Sequence, residues 1–327
     1  MGEMTQIRIS DEWLDDYKKT AIKYSQELLE LPIRQAQDVL KYMRGVTGLR
    51  GKMRFASIEG KSEFGPYNPD RQSAASVNID FRELETHMGS VIEKFHPNDY
   101  AMLTMGYTQP TLGEGQKQAS TTLLVLSQIA KARGAALANA VFNGKRNPEG
   151  DKTVDLFDGF NTIAEAEITA GTIAESKNNL ITIAEKITSV NAVDIAKSIV
   201  YSLDDHLRQI PCNFFCSQSF VDKYNEAYLE SHHGIQYNKE FNQPFIEGSN
   251  NLITFVPLAE LAGTDKFYVT PKNNMLWGTD NKSQMSTVDV ARFEPFRLTF
   301  SSTIFFGVNF HTVDARRLKV VKLTNQE

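Results

Sequence analysis

Cysteine is almost absent from this chain: there are two residues in 327, Cys212 and Cys216, inside one short apolar run. Two thiols cannot build the disulfide framework of a small secreted domain, and their spacing strings them along one face of a single predicted strand, which points to a reducing compartment. Charge of one sign is scarce too. The 35 basic residues stand against 40 acidic ones, a formal net charge of -5, so no global field draws the chain to nucleic acid or to an anionic membrane. Long hydrophobic runs are lacking as well: the longest, 121–132, is broken by polar side chains and falls short of the roughly 18 apolar residues of a membrane span. Residues 1–6 have neither the basic nor the apolar region of a secretory signal. Gln6 stands where a myristoylation motif takes Ser or Thr, so neither export nor a lipid anchor is expected.

Motifs that carry chemistry are missing. No phosphate-binding Gly-x4-Gly-Lys-Ser/Thr and no dinucleotide-binding Gly-x-Gly-x-x-Gly occurs; Gly113-Glu114-Gly115 comes nearest, with Gln118 in place of the third glycine. His232-His233 are adjacent and therefore point in different directions, which suits one metal ion poorly, and Cys212 and Cys216 lack two further soft ligands. Asp204-Asp205-His206 resembles part of a charge relay, yet it falls on a helical pattern with no nucleophile elbow, and the pair Asp15-Asp16 has no second acid beside it in sequence. The expectation is a protein with no catalytic residue, no cofactor and no metal, and not an enzyme.

What remains is a foldable globular composition, 41% hydrophobic and 23% charged, long enough for two lobes. Residues 10–31 read as an amphipathic helix with Trp13, Tyr17, Ala21, Tyr24 and Leu28 on one stripe, broken by Pro32 and followed by a short helix ending near Gly45. This is an exposed arm whose stripe needs a neighbour. From 45 to 76 the chain is rich in Gly, Pro and polar residues and has too little apolar matter for a core. Extended runs at 53–58 and 76–84 flank it, so it reads as a long hairpin with a Gly/Pro tip. Another strand-like stretch covers 91–95. Residues 116–142 form the longest helical pattern, with Gly134 its one weak position. The tetrapeptide Thr-Ile-Ala-Glu starts at Thr162, Thr172 and Thr182, a step too short for a solenoid. A helix capped by Asn191, a buried strand at 212–216 and a helix capped by Ser217 follow, and 287–323 reads as several strands returning to the first lobe beside the long helix.

Four stretches carry a resemblance: Ala140-Val141-Phe142-Asn143-Gly144, Asp155-Leu156-Phe157-Asp158-Gly159-Phe160, Ser189-Val190-Asn191-Ala192-Val193-Asp194 and Phe305-Phe306-Gly307-Val308. In this order and spacing the chain resembles, over nearly its whole length, the major capsid proteins of tailed bacteriophages, in particular those of Bacteroides-like bacteria. The resemblance implies an α+β chain with the Hong Kong ninety-seven-type shell fold. It divides into an N-terminal arm (1–45), an extended loop (46–85), a peripheral domain (86–158 and 285–327) with a spine helix at 116–142, and an axial domain (159–284). It implies a subunit that assembles with itself into hexamers and pentamers around double-stranded DNA, made in the host cytoplasm and located in the virion. Scaffold, portal and decoration proteins are the further partners, DNA is held non-specifically, and no membrane is involved. Trp13, Tyr17, Tyr24, Lys61, Phe64, Tyr67 and Arg71 are the candidate inter-subunit contacts. Some relatives crosslink a loop lysine to an asparagine of a neighbour, and Lys61 stands near the loop tip. An encapsulin-like nanocompartment shell is the alternative on the same fold; an enzyme whose site forms only in three dimensions and another virion component, such as a tail or decoration protein, come from other classes.

Overall fold

The computed structural model describes residues 15, 18, 19, 21–61, 76–95, 121–231, 244–280, 288–294 and 297–324. Two sheets organise them. The first has six strands: β1 (Arg44–Thr47), β8 (Met275–Thr279), β10 (Arg297–Phe310), β3 (Ser76–Phe95) and β2 (Gly51–Lys61) lie in that order, and β9 (Val288–Glu294) also pairs with β10. The second has five, in the order β4 (Leu180–Ile183), β11 (Lys319–Leu323), β7 (Lys266–Thr270), β5 (Cys212–Cys216) and β6 (Ile253–Pro257). Helices α1 (Ser25–Gln35), α2 (Gln37–Leu40), α3 (Thr121–Asn143) and α4 (Phe160–Thr169) serve the first sheet; α5 (Ala192–Tyr201), α6 (Asp205–Arg208) and α7 (Gln218–Ser231) serve the second.

The expected 76–84 and 91–95 strands are one. β3 runs without a break for 20 residues, because its first half pairs with β2 (Gly51↔Thr86 to Lys61↔Ser76) and its second half with β10 (His87↔Phe306 to Phe95↔Leu298). Alternation along β10 then sends Leu298, Phe300, Phe306 and Phe310 to one face, where all four are buried. The long helix α3 lies on that face. Arg133 ties it down by stacking over the Phe300 ring at 4.4 Å and donating to Glu93, to Ser302 Oγ and to the Phe300 carbonyl.

The arm departs from expectation. Ala21 and Leu28 are buried against Leu126, Val290, Leu298 and Phe300 of the same chain, so this part of the stripe needs no neighbour. Pro32 does not break the helix either; it sits inside α1, and its carbonyl still accepts the Ala36 amide at 3.0 Å. Proline forfeits one helical hydrogen bond, and here burial of Leu28, Ile33 and Ala36 on both sides of it holds the helix together. Gly134 makes the docking close: a Cβ there would lie 2.5 Å from Gln35 Cβ and 2.7 Å from the Pro32 carbonyl oxygen.

One apolar cluster joins the two sheets, running from Phe306, Val308 and Phe310 through Phe142 and Phe160 to Phe215, Tyr268 and Val320. A second cluster fills the other face of the five-stranded sheet, where α5 and α7 cover Phe214, Phe255, Val269 and Val321. Strand membership differs from the sequence expectation in two places. β8, expected in the axial part, pairs with β1 and β10 in the first sheet; β11, expected beside the spine, pairs with β4 and β7 in the second. β11 buries both of its faces, Val320 in one cluster and Val321 in the other, and only a sheet covered on both sides accommodates that. Its Lys319 is buried and donates to the Ser202 carbonyl at 2.8 Å, which satisfies the C-terminal end of α5. The three Thr-Ile-Ala-Glu copies begin in α4, in a turn and in β4, so they share no structure. Asn191 precedes α5 but spends its side chain on the Thr188 amide, not on the helix.

Gly134→Ala separates two opposing effects. Helix propensity alone stabilises by about 1 kcal/mol, whereas the added methyl against the Pro32 carbonyl and Gln35 is expected to cost about 2–3 kcal/mol, leaving a net loss of about 1–2 kcal/mol. A lower denaturation midpoint together with earlier proteolysis within residues 21–43 is the expected result; a raised midpoint would show that the helices separate freely.

Candidate assembly surfaces

The hairpin β2–β3 is anchored where it leaves the body. Leu84 is fully buried with Leu49 and Leu276, and Thr86 Oγ1 donates to the Leu49 carbonyl while accepting the Gly51 amide. Asn309 Nδ2 donates to the Glu83 carbonyl at 2.7 Å. Gly307 lies so close to β3 that a Cβ would sit 2.0 Å from the Glu85 carbonyl oxygen. Arg82 reaches across to α4: it donates to Glu167 at 2.6 Å and to the Phe310 carbonyl at 3.1 Å. Burial raises the Glu167 pKa, but the Thr172 hydroxyl and Arg82 outweigh it and the carboxyl titrates below its usual range. The root is therefore a clamp between strand and helix.

Beyond the root the hairpin is two-faced. Register places Ala56, Ile58 and Gly60 on one side with Val77, Ile79 and Phe81, and places Ser57 with Asp80 on the other. The apolar side is open: Ile58 is 66% exposed, Val77 64%, Ile79 46% and Phe81 65%. Nearer the root the same side carries Lys52–Glu85 and Arg54–Glu83 ion pairs at 3.2 and 2.6 Å, so its charges are matched. A second open apolar face lies on the outer side of the first sheet, where Met88 and Ile92 are 50% and 69% exposed and Met88 pairs with Phe305.

Of the residues expected at subunit contacts, Trp13, Tyr17, Phe64, Tyr67 and Arg71 lie outside the described residues. Lys61 is the last residue of β2, opposite Ser76. Tyr24 is half-buried against the arm's own cluster, with Lys23 over its ring. The open side of the hairpin was missed, although alternation at 77, 79 and 81 in a run without Gly or Pro is its sequence signal.

The groups weighed for chemistry are placed as follows. Cys212 and Cys216 are both buried in β5, and burial pushes the Cys212 thiol up to about 12. His232 and His233 lie outside the described residues; Asp204 caps α6 by accepting the His206 amide at 2.9 Å. A groove of about 820 Å³ runs between α4 and the 263–266 loop. In it Lys266 bridges Glu165 and Asp265 at 2.9 and 2.8 Å, and Lys322 adds a second tie to Glu165. Hydrogen bonding to Lys266 is the main cause that lowers the Glu165 pKa. Among the described residues no group of three or more His, Cys, Asp or Glu side chains could hold a metal ion, and no helix is long and apolar enough to cross a membrane.

Glu167→Gln is expected to loosen the root at neutral pH by about 1–3 kcal/mol, the scale of a hydrogen bond to a charged group. In the native protein this stabilisation is complete above the unfolded glutamate value of about 4.3 and disappears as pH falls through the lowered folded value. Protection of the 82–86 amides, taken against their intrinsic exchange rates, should therefore fall in acid and, at pH 7, in the variant; equal protection in both proteins would rule out the clamp.

No protein-family model matches the chain, and no curated protein matches it either. Solved structures do. A chain of the satellite phage P4 procapsid including size determination (Sid) protein aligns over 91% of this chain and 91% of its own length, with a TM-score of 0.58 at 12% identity. A chain of the capsid of the native GTA particle aligns over 89% and 91%, with a TM-score of 0.53 at 13% identity. One from Mycobacterium phage Adephagia aligns over 89% and 91%, with a TM-score of 0.52 at 13% identity. At such identities the likeness speaks for fold, and it covers 89–91% of this chain: the chain has the Hong Kong ninety-seven-type α+β fold of tailed-phage capsid proteins.

Proposed function

We propose that this chain is a major capsid protein, which assembles with itself into hexamers and pentamers that close as an icosahedral shell around phage double-stranded DNA. The observation that carries the proposal is the open apolar side of the hairpin, Ile58, Val77, Ile79 and Phe81, on a chain whose fold matches chains of capsids over 89–91% of its length. A two-stranded hairpin is marginal alone in water, and a monomer gains nothing from an exposed apolar ridge. A neighbour that covers it removes both difficulties.

Within this proposal, 46–85 is the loop laid over an adjacent subunit, the six-stranded sheet with α3, β8 included, is the peripheral part, the five-stranded sheet with its helices, β11 included, is the axial part around the five-fold and six-fold positions, and 1–45 is the arm. The likenesses to capsids favour a viral shell over a nanocompartment. The formal charge of -5 suits a container whose wall must not trap DNA. Scaffold, portal and decoration proteins are its further partners, and the virion is its location.

Electron microscopy of the purified protein over a concentration series tests the proposal. Closed shells, or sheets of hexamers and pentamers, are expected, and Phe81→Asp is expected to abolish them while leaving the circular dichroism spectrum unchanged. A monodisperse monomer at every concentration, with slow amide exchange along 51–61 and 76–86, would refute it.

A further inference from the structure

Three histidines fall among the described residues, and two of them flank the root of the hairpin. Register puts them on its two sides. His87 follows Glu83 and Glu85 along β3, so it lies on the side of the Lys52–Glu85 pair. Phe55, opposite Arg82, lies on the other side and meets the His311 ring edge-on at 5.9 Å. We propose that these two rings are a proton-operated release: neutral, they let the root pack against the body, and protonated, they drive it off. The device belongs to the subunit by itself and does not require the shell reading.

Each ring sits where a positive charge is poorly received. Both are partly buried, and burial is the main cause that lowers each pKa below the ordinary 6.5. Around His87, Arg146 and then Lys52 act in the same direction as burial, while Glu85 and Asp158 oppose it. Those two carboxylates are already engaged, Glu85 by Lys52 at 3.2 Å and Asp158 by the Arg146 amide at 2.8 Å; Glu85 stands 4.0 Å from His87 Nδ1. Around His311 the facing charges are Arg44 of β1 and Arg317 of the turn before β11, both cations. The 272–274 turn, whose Asn274 carbonyl accepts the His311 amide at 2.7 Å, carries a further cation, Lys272. Asp314 accepts the Arg316 amide, and Glu167 is held by Arg82.

Position turns this chemistry into a device. His87 is the residue at which β3 passes from β2 to β10, and two residues on, Gly89 lies against Leu156 of the segment that carries Arg146 and Asp158. A charge on His87 pushes that segment and the strand apart. His311 follows Phe310, whose carbonyl accepts Arg82 Nε at 3.1 Å, so a charge there disturbs both Phe55 and the anchor of Arg82. The two events act on one short stretch from opposite sides. With lowered folded values the native state binds fewer protons than the unfolded one, so this stabilisation is complete above 6.5 and is lost as pH falls through the folded values. That window lies above the one of Glu167, which begins only below the ordinary glutamate value. What is released is the direction in which Ile58, Val77, Ile79 and Phe81 are held out from the body.

The test measures amide protection, against intrinsic exchange rates, at residues 52–55 and 82–87 of the full chain at about pH 7 and about pH 5. In the native protein protection is expected to fall roughly fivefold or more between the two, and in the double variant His87→Gln with His311→Gln it is expected to stay level. Glu167→Gln is expected to keep the fall, which separates the histidines from the carboxylate clamp. A packing defect in the double variant lowers protection at both pH values alike and leaves their ratio readable. Should that variant not fold, ring titrations of the native protein by NMR decide, with both midpoints expected below 6.5. Native protection that stays level, an equal fall in the double variant, or a ring midpoint at or above 6.5 overturns the proposal.

Discussion

The hairpin and the sheet meet at the crossing of β3 and β10 beside Gly307, and the projecting part of the subunit depends on it. β3 gives up β10 at His87 and takes β2 at Thr86, while β10 gives up β3 at Phe306 and continues along β8. Two backbones can exchange partners this abruptly only where they nearly touch, which the missing side chain of Gly307 permits. Ladder bonds lost in the exchange must be replaced, since buried backbone groups do not stay unpaired. Thr86 and Asn309 supply the replacements, and Arg82 adds the tie to α4. Polar residues gather at this point because the handover leaves polar groups behind.

A shared core carries the same constraint into the rest of the molecule. The cluster that holds Phe306 and Phe310 also holds Phe215, Tyr268 and Val320 of the other sheet, with Phe142 at the end of α3 between them. Interiors packed to this density transmit displacement and do not absorb it. The direction in which the hairpin projects and the placement of the second sheet are thus set by one group of side chains. In the shell subunit proposed above, a fixed projection is what would make small repeated contacts add.

Sequence patterns revealed the elements better than their partners. Helical spacing at 116–142, borne out over its described part 121–142, the Cys212–Cys216 strand and the Ser217 cap could be read directly, and in the structure Ser217 Oγ accepts the Phe220 amide. Pro32 misled because a proline rule describes a helix by itself, whereas α1 is held by Leu28, Ile33 and Ala36 on either side of it. β8 and β11 were misplaced because short apolar strands look alike until the second face of each finds its cover. Gly134 read as a weak helix position and is the point where α1 and α3 touch. Of the candidate contacts, the aromatic residues of the arm and loop tip drew notice by size. The exposed alternation at 77, 79 and 81 drew none, since alternation by itself does not say which face is covered.

Arm and hairpin looked alike in sequence, each an apolar stripe without a core, yet among the described residues Ala21 and Leu28 of the arm are covered and the distal apolar side of the hairpin is not. The difference follows from backbone chemistry. A helix satisfies its own hydrogen bonds, so α1 needs only a place for Ala21 and Leu28, and the sheet face under α3 provides one. A hairpin satisfies half of its bonds and has two faces and two edges to dispose of. The body takes the root of β2–β3 with Leu84, Thr86 and Arg82, but it cannot follow a hairpin of roughly ten residues per strand outward, some 33 Å, without losing its own compactness. Beyond the root, alternation leaves polar residues on one side and apolar residues on the other. The apolar side is absent near the body and present only beyond the reach of the described core, which is why that core leaves it open.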